Sequence, residues 1–245
     1  MCAEQLLLTP VHCRQQLPPG FLADEKTAVL SGLPAVKLAG LLAAYGLQSP
    51  LLQFYRAGED GLLCVQGDIA TLCGVTALPP TALPMLGVRR YYADRPRFSP
   101  CECQRPVLRR QARAGPAADT AIVCPPLREV AQLLSQVFCG LDVDGLYCDL
   151  SHRVRHSKAR VLGRYQGGQL VATAGVYTAA PSGCVIEGVA VLPNWRRRGL
   201  ASALLGALEG QFVGQQLWLC CREERVPFYL KNGYVPAGTI VEGNL

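Results

Sequence analysis

The stretch that decides the fold of this chain is VIEGVAVLPNWRRRGLA, residues 185–201. It reads as an apolar strand that ends at Pro193, a short loop, and a helix that opens at Gly199. The first N–H groups of a helix have no intrahelical acceptor, and the helix dipole makes that end positive. Gly199 lets a ligand approach the backbone closely, and three consecutive arginines precede it. We therefore expect an anion site that suits a pyrophosphate. The loop is neither GxxxxGK[ST] nor GxGxxG.

The residues on either side of this stretch predict regular elements. A helical stripe covers residues 125–140 and closes at Gly140, and a polar loop is expected at 141–158. Strands are predicted at 120–124, 159–166, 169–179, 184–193, 216–221 and 234–243, with helices at 195–212 and 224–233. This order gives an antiparallel start to the sheet and one crossover helix.

Two blocks resemble a known family. Residues 189–205, VAVLPNWRRRGLASALL, resemble the acetyl-CoA-binding motif of the GNAT superfamily of N-acetyltransferases, [Q/R]-x-x-G-x-[G/A], through Arg196, Gly199 and Ala201. Residues 228–234, FYLKNGY, resemble the family's aromatic-Tyr-x-x-x-Gly-aromatic block. The resemblance covers about residues 119–245. It implies an α/β (α+β) fold in which helices flank a mixed, largely antiparallel sheet.

The resemblance also implies acetyl-CoA as cosubstrate. The backbone of residues 189–191 would pair with the pantetheine arm, and the N–H groups of residues 197–202 would hold the pyrophosphate. Arg222 stands where the family often carries an Asn that contacts CoA, so it either reaches a phosphate or makes no contact. The implied cofactor-binding residues are Val189, Ala190, Val191, Arg196, Arg197, Arg198, Gly199, Leu200, Ala201, Ser202, Arg222 and Phe228.

Two residues are candidates for acid–base catalysis. The resemblance places Tyr229 where the family has the Tyr that protonates the departing thiolate; the alternative is a core aromatic. Glu187 is the candidate base, because an acid in an apolar strand is costly to bury unless it is paired or functional. The alternative is a Glu on an exposed edge or in an Arg pair. Alternation along the strand predicts which neighbours share the face of Glu187: Val185, Val189 and Val191, with Ile186 and Ala190 opposite.

The predicted loop at 141–158 borders the acceptor side of the site in the family. Its candidate substrate-binding residues are Tyr147, Asp149, His152, Arg153 and His156. A structural hydrogen-bonding loop is the alternative. His152 and His156 have a spacing that can chelate a metal on a helix, but no Glu accompanies them as in HExxH, and we expect no metal.

The first half of the chain carries no motif. A helix is predicted from an N-cap at Ser31 to Gly46, followed by three apolar runs that predict an antiparallel meander. We interpret this half as a smaller helix-plus-meander α/β domain, a truncated or degenerate copy of the same fold. It has no glycine-rich strand-to-helix turn, so we expect no second cofactor site. The predicted domains are residues 1–115, with an Arg/Pro-rich connector near 105–118, and residues 116–245.

Composition limits the partners and the compartment. The net charge is +6, and residues 89–113 hold eight arginines against two acids. Aromatics among them could serve nucleic-acid binding, but a solvated connector is the favoured interpretation. Twelve cysteines, many within apolar runs, and a start without a basic region predict free thiols and a cytoplasmic protein. No apolar run is long enough to span a membrane.

Two functions remain open at this point. The first is an acetyltransferase that moves the acetyl group of acetyl-CoA to a primary amine, on a small molecule or a peptide, by direct attack. The second is a non-catalytic acyl-CoA-binding regulatory or partner-binding module of the same fold. Glu187 and Tyr229 together favour the first.

Overall fold

The structure, a computed structural model, describes residues 8–19, 21, 32–76, 78–95, 102–114 and 120–245. The predicted N-cap Ser31 and the predicted domain boundary at 115/116 lie outside these residues. The chain forms two compact units. The first contains residues 1–108 and 220–245, and the second contains residues 109–219. Residues 220–245 therefore group with the first unit, whereas the predicted second domain includes them.

The first unit is a sheet built from both ends of the chain. Its strands are β1 (Leu8–Pro10), β2 (Leu52–Ala57), β3 (Gly61–Gln66), β4 (Ile69–Cys73), β5 (Arg90–Ala93) and β12 (Val235–Asn244), and its helices are α1 (Gly32–Tyr45), α2 (Ala82–Met85) and α6 (Val226–Lys231). The strand order is β1-β2-β3-β4-β5-β12. Strands β2, β3 and β4 form an antiparallel meander, and β5 is parallel to β4. The predicted helix and meander are confirmed.

The core of the first unit forms where long-range pairing brings β12 beside β5. Tyr91 is fully buried and packs in one cluster with Leu63, Leu72 and Val241. A Cβ at Gly243 would overlap the Tyr91 ring, so a glycine is required opposite this aromatic. The last strand thus contributes to the core of the first unit.

The second unit contains the predicted antiparallel strands and the crossover helix. Its elements are β7 (Ile122–Val123), α3 (Leu127–Val137), α4 (Val143–Arg155), β8 (Arg160–Gln166), β9 (Gln169–Ala180), β10 (Gly183–Val191), α5 (Leu200–Gln211) and β11 (Gln216–Cys220), whose last residue belongs to the first unit. The order is β11-β10-β9-β8-β7. All neighbours are antiparallel except β10 and β11, which α5 connects as a parallel pair.

Each face of this sheet is covered by helices. On one face, α3 and α4 bury Leu134 and Leu150 against Ala190 and Leu192 of the sheet region. On the other face, α5 buries Leu204 and Leu208 against β8 and β9. The apolar stripe predicted for residues 125–140 therefore faces the sheet, as expected for an amphipathic helix.

Residues 143–155 form helix α4, so the prediction of a polar loop over this stretch is wrong. The Asp142 side chain accepts a hydrogen bond from the Asp144 N–H, which caps the first turn. His152, Arg153 and Arg155 lie in the last turn, where positive charge is favourable. The residues that α4 buries are one apolar side chain, Leu150, and one charged side chain, Arg153.

Arg153 is buried and pairs side-on with Asp149 one turn earlier in α4. Its Nε and Nη2 lie 2.9 and 2.8 Å from the two carboxylate oxygens. Its Nη1 donates to the backbone oxygen of Tyr177 and to Thr178 Oγ1 in β9, both at 3.2 Å. Asp149 thus holds the Arg153 guanidinium in place, and the two hydrogen bonds from Arg153 to β9 connect α4 to the middle of the sheet.

The predicted connector contains a strand, β6 (Glu102–Gln111). This correction also changes the interpretation of the arginine cluster. Arg105 pairs with Glu242 at 2.7 Å within the first unit, and Arg110 pairs with Glu209 at 3.1 Å within the second. Arg97 lies outside the described residues. Part of the positive charge is thus used inside the fold rather than in a solvated connector.

No helix in the described residues is both long enough and apolar enough to cross a membrane. In the same part of the chain, no group of three or more His, Cys, Asp or Glu side chains is placed to hold a metal ion.

Replacing Arg153 by Met should lower the melting temperature by roughly 6–10 °C, which corresponds to a loss of about 3 kcal/mol in a chain of this size. The change removes the charge that neutralises Asp149 and two hydrogen bonds to β9. Differential scanning fluorimetry measures it. Arg155→Met is the matched control, because Arg155 is exposed on the same helix. Equal losses in the two variants would contradict a fastening role for Arg153.

Candidate functional site

Strands β10 and β11 separate after a short parallel ladder. They pair only at Cys184 with Leu217 and at Val185 with Trp218, although β10 continues to Val191. Along the rest of β10, the edge that faces β11 carries no ladder partner. Backbone N–H and C=O groups in such a position need another hydrogen-bond partner, and an extended ligand can supply it as an added strand.

The pairing of β10 with β9 contains two irregularities on opposite strands. Between Val185 and Ile186 the partner strand β9 has one extra residue, which is Tyr177. Between Glu187 and Ala190 the extra residue lies on β10, where Gly188 has a φ of 63°. Bulges of this kind redirect side chains and are frequent next to active sites.

The bulge at Gly188 changes the face on which Glu187 lies. Glu187 pairs with Gly175 and Ala190 pairs with Thr173, and residues 173 and 175 share one face of β9. Glu187 therefore shares its face with Ala190, toward α3 and α4, whereas Val189 and Val191 pack in the cluster of α5. The prediction that Glu187 points with Val189 and Val191 is wrong, because simple alternation does not account for the inserted residue.

The loop after β10 turns its backbone with two left-handed residues. Arg197 has a φ of 61° and Gly199 has a φ of 77°. A left-handed non-glycine residue is uncommon, and such strain concentrates at ligand-binding sites. The first helical hydrogen bond runs from the Ala203 N–H to the Gly199 carbonyl at 3.0 Å, so the N–H groups before residue 203 have no acceptor in α5. A Cβ at Gly199 would have nothing within 4 Å, so the space beside it can take a ligand.

The three arginines of this loop are exposed, and two of them, Arg196 and Arg198, hydrogen-bond to backbone carbonyls. Arg196 donates from Nε to the Val191 carbonyl at 3.1 Å, and Arg198 donates to the Asn194 carbonyl at 3.2 Å. The Arg198 guanidinium also lies 4.7 Å from the centre of the Trp195 ring. These contacts hold positive charge around an exposed helix start, which is the environment that a phosphate prefers.

The candidate acceptor residues lie along α4 in different surroundings. Asp149 and Arg153 form the pair that contacts β9, on the face that also carries Glu187. Tyr147 lies under the Arg128 guanidinium of α3, 4.6 Å from the ring centre. The rings of His152 and His156 stack at 4.2 Å at the end of the helix. The structure thus brings Asp149 and Arg153 near the candidate base, and places the two histidines at the helix terminus.

Sequence reasoning missed Tyr177, which lies on the same face. The charge of Glu187 reaches the Tyr177 phenol, since burial first and then Glu187 and Asp149 raise the pKa of that group. The signal that could have found it is the pair of strand glycines, Gly175 and Gly188, because glycine inside a strand marks a bulge or a close approach.

Arg222, Phe228 and Tyr229 belong to the first unit, in and just before α6. Tyr229 is buried and lies edge-on to both Phe228 and Tyr234, with ring centres at 5.0 and 5.8 Å. Burial is the main reason that the pKa of the Tyr229 phenol is raised, and nearby Cys221 adds to it. Arg222 is exposed.

The comparison with protein families decides the identity of this region. The model of the Acetyltransferase (GNAT) family matches residues 128–234, which include β10, the Gly199 loop and α6. Residues 128–234 are a GNAT acetyltransferase domain. No curated protein matches the chain.

Solved structures extend the likeness to the GNAT fold over the whole chain. A GNAT-family protein from Novosphingobium aromaticivorans is 18% identical with a TM-score of 0.59, over 86% of this chain and 97% of that one. A tandem GNAT protein from the clavulanic acid biosynthesis pathway is 13% identical with a TM-score of 0.53, over 98% of both chains. An acetyltransferase from the GNAT family of Colwellia psychrerythraea is 12% identical with a TM-score of 0.51, over 86% and 94%. At these identities the likeness concerns the fold alone.

The first unit repeats the GNAT strand order, but its described residues do not show the separated strands and the long crossover helix of the candidate site. As in the second unit, three antiparallel strands are followed by a helix and a parallel strand. However, β4 and β5 stay paired from Ile69–Arg90 to Leu72–Ala93, and the connecting helix α2 has only four residues. The Asp94 carboxylate accepts the Gly74 N–H, at 3.0 and 3.1 Å, just beyond β4. These differences support the interpretation of a reduced copy.

Gly199→Asp should abolish binding of acetyl-CoA, because a carboxylate would occupy the space beside the exposed N–H groups and repel a phosphate. We expect wild-type protein to bind about one acetyl-CoA per chain and the variant none, since only the second unit has separated strands. Isothermal titration calorimetry measures both numbers.

Gly214→Asp is the matched control, because Gly214 is also exposed and left-handed, with a φ of 83° and open space beside it, but lies beyond the other end of α5. It should keep wild-type affinity. Equal affinity in the two variants would contradict a phosphate site at Gly199, and two ligands per chain would contradict the loss of the site in the first unit.

Proposed function

We propose that the protein transfers the acetyl group of acetyl-CoA to a primary amine by direct attack. The observation that carries this proposal is the combination of separated parallel strands with a left-handed loop at the start of α5 in a GNAT domain. The separated edge of β10 offers hydrogen bonds to an amide-containing arm. The loop offers N–H groups and arginines to a pyrophosphate.

In this proposal, the residues named from the family motif hold the cosubstrate. The backbone of residues 189–191 pairs with the pantetheine arm, and the N–H groups of residues 197–202 bind the pyrophosphate. The N–H near Val189 stabilises the negative charge that develops on the carbonyl oxygen of the thioester during attack. Arg222 and Phe228, which follow from the family motif, are proposed as further contacts with acetyl-CoA.

We propose Glu187 as the general base. It is half-buried and lies directly before the bulge, on the face of the sheet that α4 covers with Asp149. Because Arg153 neutralises Asp149, the Glu187 carboxylate is the group on this face that attracts a protonated amine. Glu187 then accepts a proton from the amine, directly or through water, so that the neutral nitrogen can attack.

For the leaving group, we propose Tyr229 as the acid. Burial raises the pKa of the Tyr229 phenol, so Tyr229 is protonated at neutral pH, which is the form that a general acid must have. The acceptor is proposed to be an amine on a small molecule or a peptide. Asp149 and Arg153 shape the acceptor side, and Tyr147, His152 and His156 are more distant candidates for substrate contact.

The non-catalytic alternative is less well supported. Binding of acyl-CoA alone does not require an acid at the bulge, so the position of Glu187 favours an enzyme. All ten cysteines among the described residues are free thiols, in keeping with the proposal that the protein works in the reducing cytoplasm.

Glu187→Gln should lower kcat/KM for the amine by about 10²–10⁴-fold near neutral pH, because the ammonium then has no base to take its proton. Raising the pH should recover part of the loss, since an amine that is already neutral needs no base. A panel of polyamines, amino acids and peptide N-termini, assayed by release of free CoA thiol, first identifies a good acceptor.

Glu129→Gln is the matched control, as Glu129 is also a half-buried glutamate of the second unit and accepts a hydrogen bond from Tyr165. It should leave turnover within about twofold. Near wild-type turnover in Glu187→Gln would exclude Glu187 as the base. An absence of transfer in wild-type protein, combined with tight acetyl-CoA binding, would support the non-catalytic alternative.

A further inference from the structure

Tyr177 is a buried side chain that the reaction proposed above does not use. It is only 6% exposed and lies in the cluster between β9 and the helices α3 and α4. Its hydroxyl has no hydrogen-bond partner among the described residues. A buried donor without a partner destabilises a protein, so a partner from outside the chain is expected to take this hydrogen bond.

The position of this hydroxyl is fixed by its surroundings. The Tyr177 ring lies over Gly175 and reaches the bulge, where a Cβ at Gly188 would overlap the hydroxyl. Arg153 holds the Tyr177 backbone oxygen at 3.2 Å. Two glycines and a buried arginine thus hold the ring in one place, and its hydroxyl ends beside the backbone that follows Glu187.

Charge at this point favours a neutral phenol that donates. The acidic groups facing it are Glu187 on β10 and Asp149 on α4, and the basic group is Arg153 on α4. Burial, and then the two acids, raise the pKa of the Tyr177 phenol, while Arg153 lowers it by less. Tyr177 therefore keeps its proton over the working pH range and cannot itself act as a base.

Resting on the proposed amine acetylation, we propose that Tyr177 is a positioning residue whose hydroxyl donates a hydrogen bond to a water molecule that connects the acceptor amine to Glu187. The ammonium gives one proton to this water, and the water gives one of its own protons to the Glu187 carboxylate. The water is regenerated, and Tyr177 keeps its proton throughout. The Tyr177 hydroxyl occupies one lone pair of the water, which leaves the other lone pair to accept the ammonium proton and directs an O–H of the water toward the Glu187 carboxylate.

Tyr177→Phe tests this role, because it removes the hydroxyl and keeps the ring between the two glycines. We expect kcat to fall by about 10- to 100-fold, the range that the loss of one hydrogen bond in a charged network gives. KM for acetyl-CoA should stay within about twofold, and the melting temperature should be unchanged or higher. A drop in kcat without a loss of stability is a result that a purely structural hydroxyl does not give.

Tyr165→Phe is the matched control in the same unit. The Tyr165 hydroxyl donates to Glu129 at 2.6 Å, so its removal should lower the melting temperature and leave kcat unchanged. If Tyr177→Phe lowers the melting temperature as much as Tyr165→Phe does, the Tyr177 hydroxyl has a partner within the protein and the proposal is overturned. Wild-type kcat in Tyr177→Phe also overturns it.

A crystal structure of the wild-type protein with CoA gives a readout that needs no activity. We expect one ordered water within about 3.2 Å of both Tyr177 Oη and a Glu187 carboxylate oxygen, and its loss in Tyr177→Phe. A wild-type structure without this water overturns the proposal, whatever the activity. If the water is present but no amine is acetylated by the wild-type protein, the proposed function fails while the link between Tyr177 and Glu187 stands.

Discussion

The separation of β10 from β11 is the constraint on which the second unit depends. After Val185 and Trp218 the two parallel strands no longer pair, so the edge of residues 186–191 that faces β11 carries no ladder partner among the described residues. In a protein interior such groups are paired with few exceptions. The crossover helix α5 begins just beyond this strand end, which places unpaired helix N–H groups at the same end of the sheet. An extended ligand with a phosphate at one end would satisfy both sets of groups, which supports the proposal of acetyl-CoA as cosubstrate.

The sequence predicts most of the second unit because the decisive signals are local. Gly199 has a left-handed backbone conformation at the start of α5, and the loop around it could be placed from residue types alone. The strands and helices around it follow from apolar periodicity. Helix α4 could not be found in this way, because its apolar residues are few and its contact with β9 is made by Arg153, a residue type that sequence patterns assign to the surface. The local signs of this helix are the N-cap Asp142 and the basic residues of its last turn.

Two further differences between the sequence prediction and the structure have a common cause, which is that pairing between distant strands is not visible in a local pattern. Residues 235–244 read correctly as a strand, yet their pairing with β5 places them in the first unit. Likewise, Glu187 was correctly selected as an acid within an apolar strand, but its face depends on an inserted residue that appears only in the register with β9. Both facts require the partner strand to be known. The same holds for Tyr177, which looks like an ordinary core aromatic until its ring is seen beside Gly188.

The two units differ in how the backbone groups at the end of the parallel strand pair find hydrogen-bond partners. In the first unit, β4 and β5 stay paired to the strand ends, and Asp94 takes the Gly74 N–H beyond them. In the second unit, the corresponding strands separate, and we propose that a ligand pairs with the groups that this leaves open. A separated strand pair is unfavourable without its ligand, so a copy that has no ligand gains stability by closing the ladder and by supplying a carboxylate of its own. The Asp94 carboxylate lies at the end of this closed ladder and accepts a backbone N–H there, so the first unit meets from its own residues the requirement that the second unit leaves open.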